Sequence, residues 1–205
     1  MANRSEHWDA IFSEKDDQDL GWYEHDISQT LKFLKPIEIN ADQRLFVAGA
    51  GTSNLVDELF KTGAYLILND ISIQALSKLE SRLTAGQRYQ TLHQDMSTPL
   101  AQIEPVDIWI DRAVLHFLLD ESAITQYFDN LRASLRHGGY VLLAEFAKKG
   151  AEKCAGLPVH QYCVEEMQER LGDEFVLLET EDYQFVNPRG QKRPYVYALF
   201  QRQAT

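Results

Sequence analysis

The stretch Leu45-Phe46-Val47-Ala48-Gly49-Ala50-Gly51-Thr52-Ser53 decides the fold of this chain. Its first four residues are continuously apolar, which is typical of a β-strand that is covered on both faces. The two glycines then predict a turn, and the hydroxyl residues Thr52 and Ser53 are suited to cap a helix. The helix itself is indicated by an apolar stripe at helical spacing, which comprises Leu55, Val56, Leu59 and Phe60. The stretch therefore predicts a strand, a glycine turn and a helix in direct succession.

A second apolar run, Tyr65 to Leu68, leads to a carboxylate at Asp70. A glycine turn at one strand end, with a carboxylate at the end of the next strand, is the ground plan of a nucleoside-binding site. Glycines allow a ligand to approach the backbone closely, and a carboxylate can accept hydrogen bonds from both ribose hydroxyls. We therefore expect a ligand that contains a nucleoside.

The rest of the chain continues the alternation of strands and helices. We predict strands at 89–93, 106–110 and 140–144, helices over 73–83, 124–135 and 164–171, and a C-terminal antiparallel pair over 175–181 and 195–200. This pattern favours an α/β fold with a mostly parallel sheet covered by helices on both faces. Residues 1–40 look helical and stand outside the alternation. They predict an N-terminal lid segment over the ligand crevice of one cofactor-binding domain at 41–205.

Composition narrows the classes of partner. The chain has 205 residues, 44% of them hydrophobic, and a formal net charge of -11. Such an acidic balance argues against a nucleic-acid ligand, which normally needs a basic face. No apolar run approaches the roughly 20 residues that span a bilayer, and the polar start of the chain does not resemble a signal peptide. Two cysteines, Cys154 and Cys163, favour reduced thiols over a disulfide or a metal site, so we expect a cytoplasmic protein without a membrane partner.

The residues around the glycine turn discriminate between nucleoside ligands. A dinucleotide oxidoreductase needs a third glycine where this chain has Asn54, so a nicotinamide cofactor is disfavoured. Asp95 follows the third predicted strand, where its carboxylate can accept from an adenine amino group with Met96 against the ring. Asp107 and Asp111 bracket the fourth strand, which we expect to lie beside the crevice where the strand order reverses.

At these positions the sequence resembles the class I S-adenosylmethionine-dependent methyltransferases, and among them a small single-domain bacterial-type branch. The likeness covers nearly the whole chain. The residues that carry the likeness to the family are 47–53, 69–72, 94–96 and 107–112. Those that carry the likeness to the branch are 7–9, 21–23, 111–118, 153–159 and 187–190. The resemblance implies a Rossmann-like methyltransferase fold. This fold is a three-layer sandwich whose mostly parallel seven-stranded sheet has an antiparallel C-terminal strand.

The resemblance also implies roles for individual residues, with S-adenosyl-L-methionine as the cofactor and S-adenosyl-L-homocysteine as its product. The turn of Gly49, Ala50 and Gly51 would face the methionine part, Asp70 the ribose, and Asp95 with Met96 the adenine. The expected cofactor contacts also include Trp22, Ile71 and Asp111, and the candidate catalytic residues are Tyr23, His116 and Asp111, without a metal.

For three of these residues a structural role is the alternative. Trp22 and Tyr23 are equally suited to anchor the N-terminal segment in the core, and His116 to pack against its apolar neighbours. One position departs from the family pattern. Val47 stands where the family has an acid that helps to hold the amino end of the cofactor.

Methyl transfer from a sulfonium is an in-line displacement that needs no acid, so alignment and exclusion of water are its main catalytic requirements. We therefore expect an enzyme that acts on a small-molecule acceptor, as a monomer or weak homodimer. The aromatic lid and a likeness to small thiol methyltransferases favour a thiol, sulfide or metalloid. A protein lysine methyltransferase, a cofactor-binding module without turnover and a nicotinamide oxidoreductase are the alternatives.

Overall fold

The apolar run at 45–48 lies in the central strand β1 (Arg44–Ala48) of the computed structural model, which describes residues 4–204. Leu45 and Val47 pack into one apolar layer, whereas Phe46 and Ala48 pack into another. Successive side chains of a strand point to opposite faces, so these two layers lie on either side of the sheet. The run is continuously apolar because β1 is buried on both faces.

The described residues alternate strands with helices as predicted. The further strands are β2 (Tyr65–Asp70), β3 (Tyr89–His93), β4 (Val106–Arg112), β5 (Leu135–Phe146), β6 (Lys153–Cys154), β7 (Leu157–Pro158), β8 (Phe175–Val186) and β9 (Lys192–Arg202). The α-helices are α1 (Arg4–Glu14), α2 (Ser28–Leu34), α3 (Leu55–Phe60), α4 (Ile73–Arg82), α5 (Glu121–Ser134) and α6 (Val164–Leu171). Short 3₁₀ turns occupy Asp17–Asp19, Lys35–Ile37 and Leu115–Phe117.

Seven strands form one sheet in the order β3-β2-β1-β4-β5-β9-β8. The pairs from β3 to β5 are parallel, and β9 runs antiparallel to both of its neighbours. Residues of α2 and α3 pack on one face, and residues of α5 and α6 pack on the other. These features confirm the Rossmann-like three-layer sandwich. The strand order reverses at β1, so a crevice is expected at the carboxyl ends of β1 and β4.

Two helix ends differ from the prediction. Helix α3 begins only at Leu55, and the Ser53 hydroxyl accepts a hydrogen bond from the Leu55 amide at 3.2 Å. Helix α5 ends at Ser134, because Leu135 already belongs to β5 and pairs with Val106. The glycines at 138–139 therefore lie inside a strand. A side chain at Gly139 would come within 2.9 Å of the Asp107 carbonyl oxygen, so this glycine permits close approach of the neighbouring strand.

The N-terminal segment divides into two parts. Helix α2 packs Phe33 and Leu34 into the main core, so it is part of the sandwich rather than of a lid. Helix α1 forms a separate apolar cluster with Trp8 and Phe12, which lies against Ala75 of α4. Residues 1–3 of the predicted lid lie outside the described residues. Among residues 4–204, no helix combines the length and the apolar character that crossing a membrane requires.

Candidate active site

Asp70 joins the ends of β1 and β2. Its Oδ2 accepts a hydrogen bond from the Gly51 amide at 2.9 Å, and its Oδ1 accepts one from the Ser72 amide at 2.8 Å. Burial raises the pKa of this carboxyl from 3.8 to about 6, against the lowering effect of the backbone hydrogen bonds. The Ser72 hydroxyl also caps α4 by accepting from the Ala75 amide. The two bends that the sequence singled out are thus in direct contact.

The glycine turn leaves no room for a larger residue at its first position. Gly49 has a φ of +57°, and a Cβ there would lie 2.1 Å from Cγ2 of Val114. Both the backbone conformation and the close approach of Val114 require glycine. The turn therefore keeps its backbone open toward the crevice, as a bound ligand requires.

A cavity with an empty volume of about 760 Å³, including its open mouth, lies above these strand ends. It is lined by most of the predicted cofactor residues: Trp22, Gly49, Gly51, Asp70, Ile71, Asp95 and Met96. Ala50 is fully buried and lines an adjoining recess instead. The Asp95 Oδ1 accepts a hydrogen bond from the Ser97 amide at 2.8 Å, which holds this carboxylate at the wall. The structure thus brings the glycine turn and both carboxylates to one cavity.

The cavity has an aromatic roof, of which only Trp22 was predicted from the sequence. Trp8, Phe12, Trp22 and Phe117 line it, and the Trp8 ring meets the rings of Trp22 and Phe117 edge to face at 5.4 and 4.9 Å. Helix α1 is fixed in place because Oδ1 of Asp9 accepts from the Ser72 hydroxyl at 2.6 Å. The spacing of Trp8, Ile11 and Phe12 on one face of α1 was the available signal for this roof.

The adjoining recess, which we call the turn recess, is lined by the glycine turn, Val47, Tyr23, Glu24 and Arg112, among others. Arg112 donates from Nε to Glu24 at 2.9 Å and from Nη1 to the Trp22 carbonyl oxygen at 3.0 Å. The Tyr23 hydroxyl accepts a hydrogen bond from Nδ2 of Asn54 at 3.0 Å. Glu24 was not predicted from the sequence, and Tyr23 lies in this recess rather than in the main cavity.

Asp111 lies behind the cavity wall, which corrects its prediction as a catalytic and cofactor-binding residue. Its side chain is fully buried and accepts from the amides of Val114 and Leu115 and, at 2.6 Å, from the Tyr127 hydroxyl. Burial and the neighbouring Glu145 raise the pKa of Asp111 well above its usual value. Asp111 therefore holds the turn after β4 and does not face a ligand.

His116 is fully buried as well, which corrects its prediction as a catalytic base. Its ring stacks on Phe146 with centroids 4.6 Å apart, and its Nδ1 lies 2.7 Å from Oε2 of Glu145. Burial lowers the pKa of His116 to about 3, so the ring is neutral near pH 7. This packing is the alternative that the sequence left open.

Asp107 and Cys154 lie in different places relative to the cavity. Asp107 lies at the opposite end of β4 from the cavity, where it accepts from the Arg44 amide and pairs with Arg136. Cys154 does line the cavity, and burial raises the pKa of its thiol to about 11. Within residues 4–204, no group of three or more His, Cys, Asp or Glu side chains is arranged to hold a metal ion.

Comparison with known proteins assigns this architecture. Residues 46–141, from β1 into β5, match the family model of a methyltransferase domain. This part of the chain corresponds to a methyltransferase domain. The match confirms the resemblance to the class I S-adenosylmethionine-dependent methyltransferases, and with it the predicted enzyme class and cofactor.

Solved structures share the fold of the methyltransferase domain and of the segments around it. An S-adenosylmethionine-dependent methyltransferase from Anabaena variabilis is 16% identical, with a TM-score of 0.78 over 99% of this chain and 96% of that one. The 1,6-didemethyltoxoflavin-N1-methyltransferase of Burkholderia thailandensis is 14% identical, with a TM-score of 0.68 over 97% and 84%. A protein that acts in the conversion of a disulfide bond into a thioacetal group during echinomycin biosynthesis is 16% identical, with a TM-score of 0.74 over 97% and 93%. No curated protein sequence matches the chain.

Proposed function

We propose that this chain transfers a methyl group from S-adenosyl-L-methionine to a small-molecule acceptor enclosed under helix α1. The observation that carries the proposal is the contact of the glycine turn with Asp70 at one edge of a roofed cavity. The residues present fit the cofactor, because the turn admits no side chain at Gly49 and the two carboxylates Asp70 and Asp95 share the cavity wall. The Burkholderia thailandensis enzyme, whose structure contains S-adenosylhomocysteine and 1,6-didemethyltoxoflavin, has the same fold.

Each part of the cavity has a separate task. Asp70 is positioned to accept from the ribose hydroxyls, and Asp95 with Met96 to hold the adenine, as the family resemblance implies. When bound, S-adenosyl-L-methionine supplies an electrophilic methyl group on a positively charged sulfur. Faces of Trp and Phe rings stabilise positive charge, and the roof of Trp8, Phe12 and Trp22 also excludes water from the reacting atoms.

The cavity favours an acceptor that needs no protein base. Among the described residues that line it, the ionisable ones are Arg4, Asp70, Asp95, Arg112 and Cys154, and none is a histidine. Both carboxylates already accept hydrogen bonds from the backbone at the nucleoside end. An acceptor that presents its own lone pair or ionises near pH 7, such as a thiol, a sulfide or a metalloid, fits this lining. The echinomycin protein of similar fold also acts on sulfur.

A labelling experiment tests the proposal. The protein is incubated with S-adenosyl-L-methionine carrying a labelled methyl group, once with a panel of thiols, sulfides and metalloid oxyanions and once with a protein lysate. We expect label in small molecules and binding of S-adenosyl-L-homocysteine by calorimetry. Label in macromolecules would instead favour protein methylation. Tight binding without any labelled product would favour a cofactor-binding module without turnover.

A further inference from the structure

Strand β1 contributes no charge to the turn recess. The family that the sequence resembles carries an acid at the position of Val47, and that acid helps to hold the amino end of the cofactor. Here the Val47 side chain lines the recess with only 4% of its surface exposed. A ligand with a charged amino-acid end must therefore find its partners on other elements of this chain.

Glu24 and Arg112 are the charged residues among those described as lining the turn recess. They come from the N-terminal segment and from the end of β4, and they form an ion pair with side chains that are only 6% and 10% exposed. The Nη2 atom of Arg112 is buried and has no hydrogen-bond partner among residues 4–204. A buried guanidinium nitrogen without a partner is costly unless a ligand supplies an acceptor.

We infer that Glu24 and Arg112 together hold the amino-acid end of the cofactor and replace the acid that is absent at Val47. The inference rests on the proposed function. The α-ammonium and α-carboxylate of the ligand carry opposite charges, as do the two side chains. Glu24 accepts from the ammonium, and Nη2 of Arg112 donates to the carboxylate. Because both pairs are charge-assisted and shielded from water, removing one partner would leave the other charge buried and uncompensated, which is strongly unfavourable.

Isothermal titration calorimetry with two ligands separates this role from binding of the nucleoside. S-adenosyl-L-homocysteine carries the amino-acid end, whereas methylthioadenosine carries the same nucleoside thioether without it. We expect the unmodified protein to bind S-adenosyl-L-homocysteine more tightly than methylthioadenosine. In Glu24→Gln the affinity for S-adenosyl-L-homocysteine falls roughly 10-fold to 100-fold, the usual effect of losing a charged hydrogen bond, whereas the affinity for methylthioadenosine stays the same.

Asp26→Asn is the matched control, since it removes one exposed carboxylate from the same segment and leaves both affinities unchanged. Retained binding of methylthioadenosine shows that the Glu24→Gln variant is folded. The inference is overturned if Glu24→Gln binds S-adenosyl-L-homocysteine normally, if it weakens both ligands equally, or if the control has the same effect. Failure of the unmodified protein to bind either ligand would instead contradict the proposed function.

Discussion

Replacement of Gly49 by alanine should destabilise the fold through two separable effects. The φ of +57° disfavours any residue with a Cβ by about 1–2 kcal/mol. The added Cβ would also lie 2.1 Å from Cγ2 of Val114, and such overpacking typically costs about 1–3 kcal/mol. We therefore expect Gly49→Ala to lower the free energy of unfolding by roughly 2–5 kcal/mol. Equilibrium unfolding in urea measures this difference.

Two further variants separate the contributions. Gly86 also has a positive φ, of +96°, but a Cβ there would have no atom within 4 Å, so Gly86→Ala carries only the conformational cost. In the double variant Gly49→Ala/Val114→Ala, the Cγ2 atom of residue 114 is removed. The added Cβ of residue 49 then lies 3.6 Å from the Cβ of residue 114, which is an ordinary contact distance. We expect a favourable coupling of about 1–3 kcal/mol in this double-mutant cycle. Equal destabilisation by Gly49→Ala and Gly86→Ala, with no coupling to Val114, would refute the reasoning.

Three other variants test the carboxylates and the lid. Burial raises the pKa of Glu145 from 4.5 to about 8, so between these values the folded chain keeps a proton that the unfolded chain releases. The free energy of unfolding should therefore fall as the pH rises from 5 to 8. Glu145→Gln should reduce this slope by up to about 1.4 kcal/mol per pH unit in urea unfolding, and an unchanged slope would contradict the assignment. Asp70→Ala should weaken binding of S-adenosyl-L-homocysteine by about 1–3 kcal/mol in calorimetry, since it removes an acceptor for the ribose and for the Gly51 amide; unchanged affinity would exclude Asp70 as a ribose ligand. Tyr23→Phe should lower the free energy of unfolding by about 1 kcal/mol, because the hydrogen bond to Asn54 is lost. Binding of methylthioadenosine should stay intact, and a large loss of that binding would argue against a role of Tyr23 in anchoring the lid.

The meeting of the glycine turn with Asp70 could be predicted because its information is local. A run of apolar residues fixes where β1 and β2 lie, and the residues that follow each strand must emerge at the same edge of a parallel sheet. Gly49, Gly51 and Asp70 were therefore found from spacing alone, and the structure brings them into one cavity. Trp8, Phe12 and Glu24 were missed because their place depends on how the N-terminal segment folds back over the sheet. The spacing of Trp8, Ile11 and Phe12 predicts an apolar helix face but does not reveal what that face covers.

The errors at Asp111 and His116 have a different cause. Asp111 and Arg112 are the last two residues of β4, and successive side chains of a strand point to opposite faces, so Arg112 reaches the cavity whereas Asp111 is buried behind its wall. After the strand, Ala113 has a φ of +73°, and in the turn that follows Val114 and Phe117 line the cavity whereas His116 is buried. Adjacent positions in a turn of this kind face different environments, and the sequence does not reveal which of them faces the ligand.

The buried carboxyls behind the wall explain how this turn is maintained. Asp111 accepts from the amides of Val114 and Leu115, and Glu145 accepts from the amide of His116 at 3.2 Å. Together they satisfy three successive backbone donors of the segment that presses Val114 against the glycine turn. Strongly shifted pKa values often mark catalytic groups, but here the shifts result from burial needed to shape the cavity. Asp111 and Glu145, which lie near the ends of β4 and β5, therefore build the wall of the site. Glu24, the acid inferred to contact the amino-acid end of the ligand, comes instead from the N-terminal segment that covers the cavity.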